Sequence, residues 1–242
     1  MKYLVFSDIH GNAQALETLV DELGDIRPDF IVSLGDVVGY GASPSDCVDI
    51  VEEHCDIRIC GNHDYVAAGL ADSESFNVTA RISIEWTKNL LSAGQKELLS
   101  AYDTVRRHGE CLFAHSSPIS PLGWEYIYTL GQAEKIFRET DARFTFVGHT
   151  HVPGIISHDM LSGCRVEPSS KIEIDPDRRY LINTGSIGQP RDGVSASSFA
   201  VIDVQRGRIS MRRIPYDVME AQERIRAEGL PESLASRLAI AR

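Results

Sequence analysis

The sequence predicts an α/β fold with a helix-connected, largely parallel first half and a strand-rich, antiparallel second half. Three observations carry this reading. Apolar runs of four or five residues rich in Val, Ile, Phe and Tyr stop abruptly at Gly, Asn, Asp or His, as buried strands do. Segments with helical apolar spacing lie between these runs in the first half. After about residue 150, strand-like runs follow one another with only turns between them.

The first predicted strand, Lys2 to Phe6, ends at Ser7-Asp8-Ile9-His10. A helix follows, with Leu16, Leu19, Val20 and Leu23 on one face, Asn12 as N-cap and Gly24 as the stop. Phe30 to Leu34 ends at Gly35-Asp36, and Ser45 to His54 is the next helix. Ile57 to Cys60 ends at Gly61-Asn62-His63-Asp64, and Val78 to Leu91 is helical. Leu112 to Ala114 ends at His115, Gly131 to Thr140 is helical, and Phe144 to Val147 ends at Gly148-His149-Thr150-His151. This β-α-β-α-β order implies a parallel sheet with helical crossovers. In the second half, strands are expected at Ile155-Ile156, Lys171 to Ile174, Arg178 to Ile182, Phe199 to Val204 and Arg208 to Ile214, with a hairpin tip at Arg206-Gly207. They are expected to form an antiparallel sheet packed on the first. Asp217-x-x-Glu220 reads as a capping box that opens a C-terminal helical segment from about residue 217. No repeat and no long linker divides the chain, so residues 1–242 are expected to form a single domain.

Composition narrows the function classes. With 24 Lys and Arg against 35 Asp and Glu, the net charge is −11, which disfavours tracking of a long nucleic acid or of anionic lipid. The 43% hydrophobic content supplies a sizeable core. No apolar run is long enough for a membrane span, and Asp8 and His10 arrive too early for a signal-peptide core. Five cysteines without a C-x-x-C pair read as free thiols, and a soluble, cytoplasmic protein is expected.

Ligands of open α/β sheets bind at the carboxyl ends of the strands. The residues expected there are Asp8, His10, Asp36, Asn62, His63, His115, His149 and His151. Taken singly, each has an ordinary structural explanation: a solvated carboxylate, a turn asparagine, a hydrogen-bonded histidine. Together they make a set of O and N donors without thiolate, which suits Mn, Fe, Zn or Ni better than Ca or Mg. Seven of these eight as ligands are too many for one ion with an open position and right for two ions sharing a carboxylate. Two such ions, two carboxylates and a bridging hydroxide leave the site at about +1, attractive to a phosphate.

At these residues the chain resembles the calcineurin-like metallophosphoesterase superfamily. The motifs are Asp8-Ile9-His10, Gly35-Asp36-Val37-Val38-Gly39, Gly61-Asn62-His63-Asp64, His115 and Gly148-His149-Thr150-His151, in the family's order. The resemblance implies a four-layer α/β-β/α sandwich of two mixed sheets flanked by helices. It also implies one metal on Asp8, His10, Asp36 and His151 and a second on Asp36, Asn62, His115 and His149, with Asp36 as the bridge. His63 would stand beside the scissile phosphate.

The chain departs from the family's protein-phosphatase and dinucleoside-tetraphosphatase branches. Gly39-Tyr40 stands where those have Asp-Arg, and Tyr65 where they have Arg. Without these phosphate-clamping arginines, the resemblance lies closest to the small bacterial and archaeal phosphodiesterase-like branch. The expected activity is two-metal hydrolysis of phosphate esters, with diesters ahead of monoesters, on a small substrate such as a phosphodiester or nucleotide. Manganese is the metal expected first. A nucleotidase-like monoesterase and a non-catalytic scaffold of the same fold are the alternatives. Arg191, in the loop Gly188 to Gly193, is a candidate to reach a phosphate.

Overall fold

The computed structural model describes residues 1–242. Twelve strands form two six-stranded sheets that face each other. They are β1 (Lys2–Phe6), β2 (Phe30–Ser33), β3 (Ile57–Arg58), β4 (Val105–His108), β5 (Cys111–Ala114) and β6 (Phe144–Val147), followed by β7 (Gly154–Asp159), β8 (Gly163–Val166), β9 (Lys171–Glu173), β10 (Arg179–Asn183), β11 (Ser197–Asp203) and β12 (Arg208–Ile214). The first sheet runs β3-β2-β1-β11-β12-β9 and the second β4-β5-β6-β10-β7-β8. Each sheet mixes parallel pairs, β1 with β2 and β5 with β6, with antiparallel ones, β1 with β11 and β10 with β7.

Strand alternation builds the layers. Tyr3 and Val5 of β1 point between the sheets, where they join Phe113, Phe144 and Phe146 of the second sheet. Leu4 and Phe6 point outward and pack with Leu16, Leu19, Val48 and Val51 of the helices α1 (Ala13–Asp21) and α3 (Pro44–His54). On the opposite face of the second sheet, Val147 and Leu181 pack with Ala133, Ile136 and Phe137 of α7 (Leu130–Glu139). The result is the expected α/β-β/α sandwich, its strands apolar on both faces because both faces are covered.

The expectation of a separate antiparallel sheet in the second half is corrected. β11, β12 and β9 extend the first sheet, while β10, β7 and β8 extend the second, so the late strands are divided between both. Local patterning fixes strand faces and leaves the choice of sheet to long-range packing. Gly24 does not stop α1; the helix ends at Asp21, and Gly24 lies in the short helix α2 (Leu23–Ile26) that follows. The helical segments α4 (Asn62–Ala67), α5 (Val78–Leu90) and α6 (Ala93–Ser100) fill the connection between β3 and β4. At the C-terminus, Asp217 caps α8 (Val218–Ala227), and α9 (Glu232–Ile240) packs beside it over Tyr40 and Ala80. No helix is long and apolar enough to cross a membrane. All five cysteines are free; four are buried and Cys164 is half-buried.

Candidate active site

The loops after β1, β2, β3, β5 and β6 meet at one end of the sandwich, where the carboxyl ends of both sheets converge. Backbone hydrogen bonds continue the strand pairing into these loops: Asp8 N donates to Gly35 O at 2.9 Å, His10 N to Asp36 O at 2.9 Å and Gly148 N to His115 O at 2.9 Å. Five residues here, Asp8, His10, Asp36, His149 and His151, have left-handed backbone with φ between 51° and 65°. That conformation is costly for non-glycine residues and concentrates at functional sites. Gly148 permits a close contact: a Cβ on it would lie 2.1 Å from Ser7 Oγ and 2.7 Å from Asp8 Oδ2.

All seven predicted ligands converge. Asp8, His10 and His151 form one group with ligand atoms within 4.8 Å, and Asp36, His115 and His149 form another. Asp36 Oδ2 links the groups, 3.3 Å from His115 Nε2 and 3.6 Å from His10 Nε2. The tautomers follow from the outer ring nitrogens, because a carbonyl can only accept. His10 Nδ1 donates to Val38 O at 3.2 Å and His151 Nδ1 to Gln189 O at 2.6 Å. Their Nε2 atoms face each other at 3.2 Å, and Asp8 Oδ1 stands 3.2 Å from His151 Nε2 with no hydrogen-bond partner. Burial holds both rings well below the usual histidine range, so both are neutral. Two imidazole lone pairs and a carboxyl oxygen therefore point at one place, an arrangement that fits a cation.

The second group is built the same way. His115 Nδ1 donates to Leu34 O at 2.9 Å and His149 Nε2 to Trp124 O at 2.9 Å, which turns His115 Nε2 and His149 Nδ1 toward each other at 3.0 Å. Asn62 Oδ1 is buried without a partner at the same end. Burial would lower His115, but the charge and hydrogen bond of Asp36, together with the Asp8 and Asp64 charges, outweigh it and raise the ring to about 9. Burial would raise Asp36, yet His115, His63 and His10 pull it well below the usual carboxylate range. Asp8, with less compensation, is pushed up by burial to about 7. The carboxylates thus create a field that calls for positive charge, and the donor set fits divalent transition metals.

His63 lies in the first turn of α4, and its backbone N–H donates to Asp36 Oδ1 at 2.8 Å. Its Nδ1 is buried without a partner. Gly39, with φ of 86°, lies directly beneath it, and a Cβ there would meet His63 Nδ1 at 2.3 Å. No carboxylate orients this ring: Asp64 is committed to the backbone N–H groups of Val37, Val38 and Gly61 at 2.8, 3.2 and 3.0 Å. Packing holds it instead, against Tyr40 at 4.5 Å, Phe76 at 4.7 Å and His10 at 4.8 Å between ring centroids. Burial lowers His63 to about 4.

Residues 1–207 match the family model of the calcineurin-like phosphoesterase superfamily domain. The chain belongs to that superfamily. The uncharacterized protein MJ0912 of Methanocaldococcus jannaschii is 34% identical over 242 residues, with 98% of this chain and 97% of the relative covered. A metallophosphoesterase structure from Sphaerobacter thermophilus superposes with TM-score 0.88 at 37% identity, covering 100% of this chain and 99% of the other. The hypothetical protein PH1004 of Pyrococcus horikoshii OT3 shares the fold, with TM-score 0.81 at 18% identity over 100% and 98% of the two chains.

In this phosphoesterase four of the predicted ligands, Asp36, Asn62, His149 and His151, line a cleft of about 310 Å³ together with His63 and Arg191. Arg191, the loop residue offered as a candidate to reach a phosphate, is therefore at the cleft. A larger depression of about 440 Å³ lies at the edge of the first sheet among Lys2, Lys171, Arg206 and Arg208, and none of the site histidines lines it. Sequence reasoning missed the aromatic wall of the cleft. Tyr40 and Phe76 line one part, and Trp124 and Tyr126 come from the loop between β5 and α7. Tyr126 stacks on His149 at 4.1 Å and on Tyr128 at 5.5 Å. The alternation Trp124, Tyr126, Tyr128 just after the His115 loop was the available signal.

Proposed function

We propose that this phosphoesterase hydrolyses small phosphodiesters with two divalent transition-metal ions, manganese first among them. Asp8, His10, Asp36 and His151 would hold one ion, and Asp36, Asn62, His115 and His149 the other. The observation that carries the reading is the pair of His/Asp clusters joined at Asp36, each with its outer ring nitrogens anchored to backbone carbonyls. When bound, such ions neutralise phosphate charge and lower the pKa of a water to yield a hydroxide nucleophile. The chain's own residues do the rest. The anchored imidazoles fix the ligand directions, and the aromatic wall limits water. His63, held neutral by burial, stands next to Asp36 and His10 where the leaving oxygen needs a hydrogen bond.

Diester preference is supported by what replaces the absent arginines. Gly39 seats the His63 ring, and Tyr65 packs 5.9 Å from Trp124 rather than offering a guanidinium. The monoesterase reading has one observation in its favour, the placement of Arg191 at the cleft. The −11 charge supports a small substrate over a long nucleic acid, and five free thiols support a reducing, cytoplasmic setting. The test is metal analysis of the purified protein, followed by kcat/KM on monoester, diester and nucleotide substrates with manganese supplied. A metal-loaded protein inactive on all three classes refutes the proposal.

A further inference from the structure

Arg191 and Arg237 do not behave like the other arginines in their surroundings. Arg213 pairs with Asp192, Arg224 with Glu220 and Arg226 with Glu232. Arg191 donates instead to the neutral Gln189 Oε1 at 2.9 Å, and its Nε is buried without a partner. Arg237 pairs with no Asp or Glu and donates its Nε to Arg242 O, an oxygen of the last residue's carboxyl group, at 2.6 Å. Both guanidinium carbons lie 5.8 Å from the centroid of the Tyr40 ring, so the two charges are separated by at most twice that distance. Tyr40 itself is 4.6 Å from His10 and 4.5 Å from His63 between centroids, which puts this pair one ring away from the metal ligands. Burial and the nearby Arg191 charge lower Arg237 below the usual arginine range. No Asp or Glu pairs with either guanidinium, and two half-buried like charges this close favour a further anion shared between them.

We propose that Arg191 and Arg237 form a second anion subsite beside the metal ligands, which takes a further phosphate of the substrate rather than the scissile group. The substrate class is then a phosphodiester that carries an additional phosphate a few bonds from the cleaved one. This rests on the phosphoesterase reading above and deepens it. A planar guanidinium fork suits phosphate oxygens, and free N–H groups remain on both side chains for that purpose. Arg237 comes from α9, beyond the residues 1–207 matched by the family model, so the C-terminal helix supplies half of the subsite. The shared motif set carries the chemistry, and this appended helix selects the substrate.

The test uses a matched pair on the manganese-loaded full chain: thymidine 5′-(p-nitrophenyl phosphate) and the same ester with a 3′-phosphate. The leaving group is constant, so the ratio of kcat/KM reads the second phosphate alone. Charged hydrogen bonds of this kind predict a preference of about tenfold or more for the 3′-phosphorylated ester. Arg237→Met, which keeps an apolar stem, should collapse the ratio toward one, and Arg237→Lys should restore part of it. Calorimetric binding of thymidine 3′,5′-bisphosphate against thymidine 5′-monophosphate gives the same comparison without turnover. If neither ester is cleaved but the bisphosphate still binds more tightly in an Arg237-dependent way, the diesterase reading fails and the subsite stands. Equal binding of the two nucleotides, or a preference untouched in Arg237→Met, overturns the subsite.

Discussion

Asp36→Asn tests whether one carboxylate serves two ions. Asp36 Oδ2 stands between His10 and His115, while Oδ1 accepts from His63 N at 2.8 Å. The amide keeps an oxygen for that backbone donor and removes only the charge. At a manganese concentration one hundred times its dissociation constant, each occupied site stabilises the fold by about 2.7 kcal/mol, so two sites contribute about 5 kcal/mol. For a chain of this size, about 2–4 °C of Tm accompany each kcal/mol, which puts the manganese-induced shift of the wild type at about 10–20 °C. In Asp36→Asn both sites lose a shared ligand, and the shift should fall to about 5 °C or less, below that of one intact site. Thermal melts across a manganese titration, paired with metal content after gel filtration, read both quantities. A shift in Asp36→Asn equal to that of the wild type would mean that the carboxylate bridges nothing.

Three further outcomes follow from the same geometry. His63→Ala should leave metal content unchanged and lower kcat by about 10²–10⁴-fold, with a smaller loss for a nitrophenolate leaving group than for an alkoxide. Equal losses would assign His63 to charge stabilisation instead of proton donation. Gly39→Ala should also depress kcat with metal retained, because its Cβ would meet His63 Nδ1 at 2.3 Å; unchanged kcat would mean that the ring position is irrelevant. With manganese, bis(p-nitrophenyl) phosphate should be cleaved with higher kcat/KM than p-nitrophenyl phosphate, and a tenfold preference for the monoester would transfer the clamp role to Arg191.

The chemistry of this chain was legible because buried strands write themselves as apolar runs, and those runs end where the ligands begin. Asp8, Asp36, His115 and His149 could each be placed at a strand end without any coordinates. Sheet membership could not, since β11 and β10 have similar patterns and differ only in which distant strand they join. The edge strand β4 was missed because Val105-Arg106-Arg107-His108 is polar, as edges tend to be. Arg237 was invisible for another reason: α9 looks like any amphipathic helix, and only its packing against Tyr40 brings the guanidinium to the site.

The left-handed ligands allow the cost of the site to be measured. His151 has φ of 59°, is nearly fully buried, and follows His149 at 65° across a single residue. For a residue with a Cβ this conformation costs about 1–2 kcal/mol, a cost that glycine escapes. The neighbouring backbone imposes it, because Gly148 N is tied to His115 O and Arg191 N to His151 O at 3.2 Å. His151→Ala and His151→Gly both delete the imidazole and leave the same space, so their difference isolates the backbone. The glycine variant should be the more stable by about 1 kcal/mol, the reverse of the usual order for these two residues in regular structure. Urea midpoints in the presence of a chelator would read this without interference from metal binding. Alanine equal to or above glycine would show that the loop relaxes once the ligand is gone, and that the imidazole itself enforces the strain. The two results assign the rigidity of the site to different parts of the chain, the loops that zip the strand ends together or the ligand side chain itself.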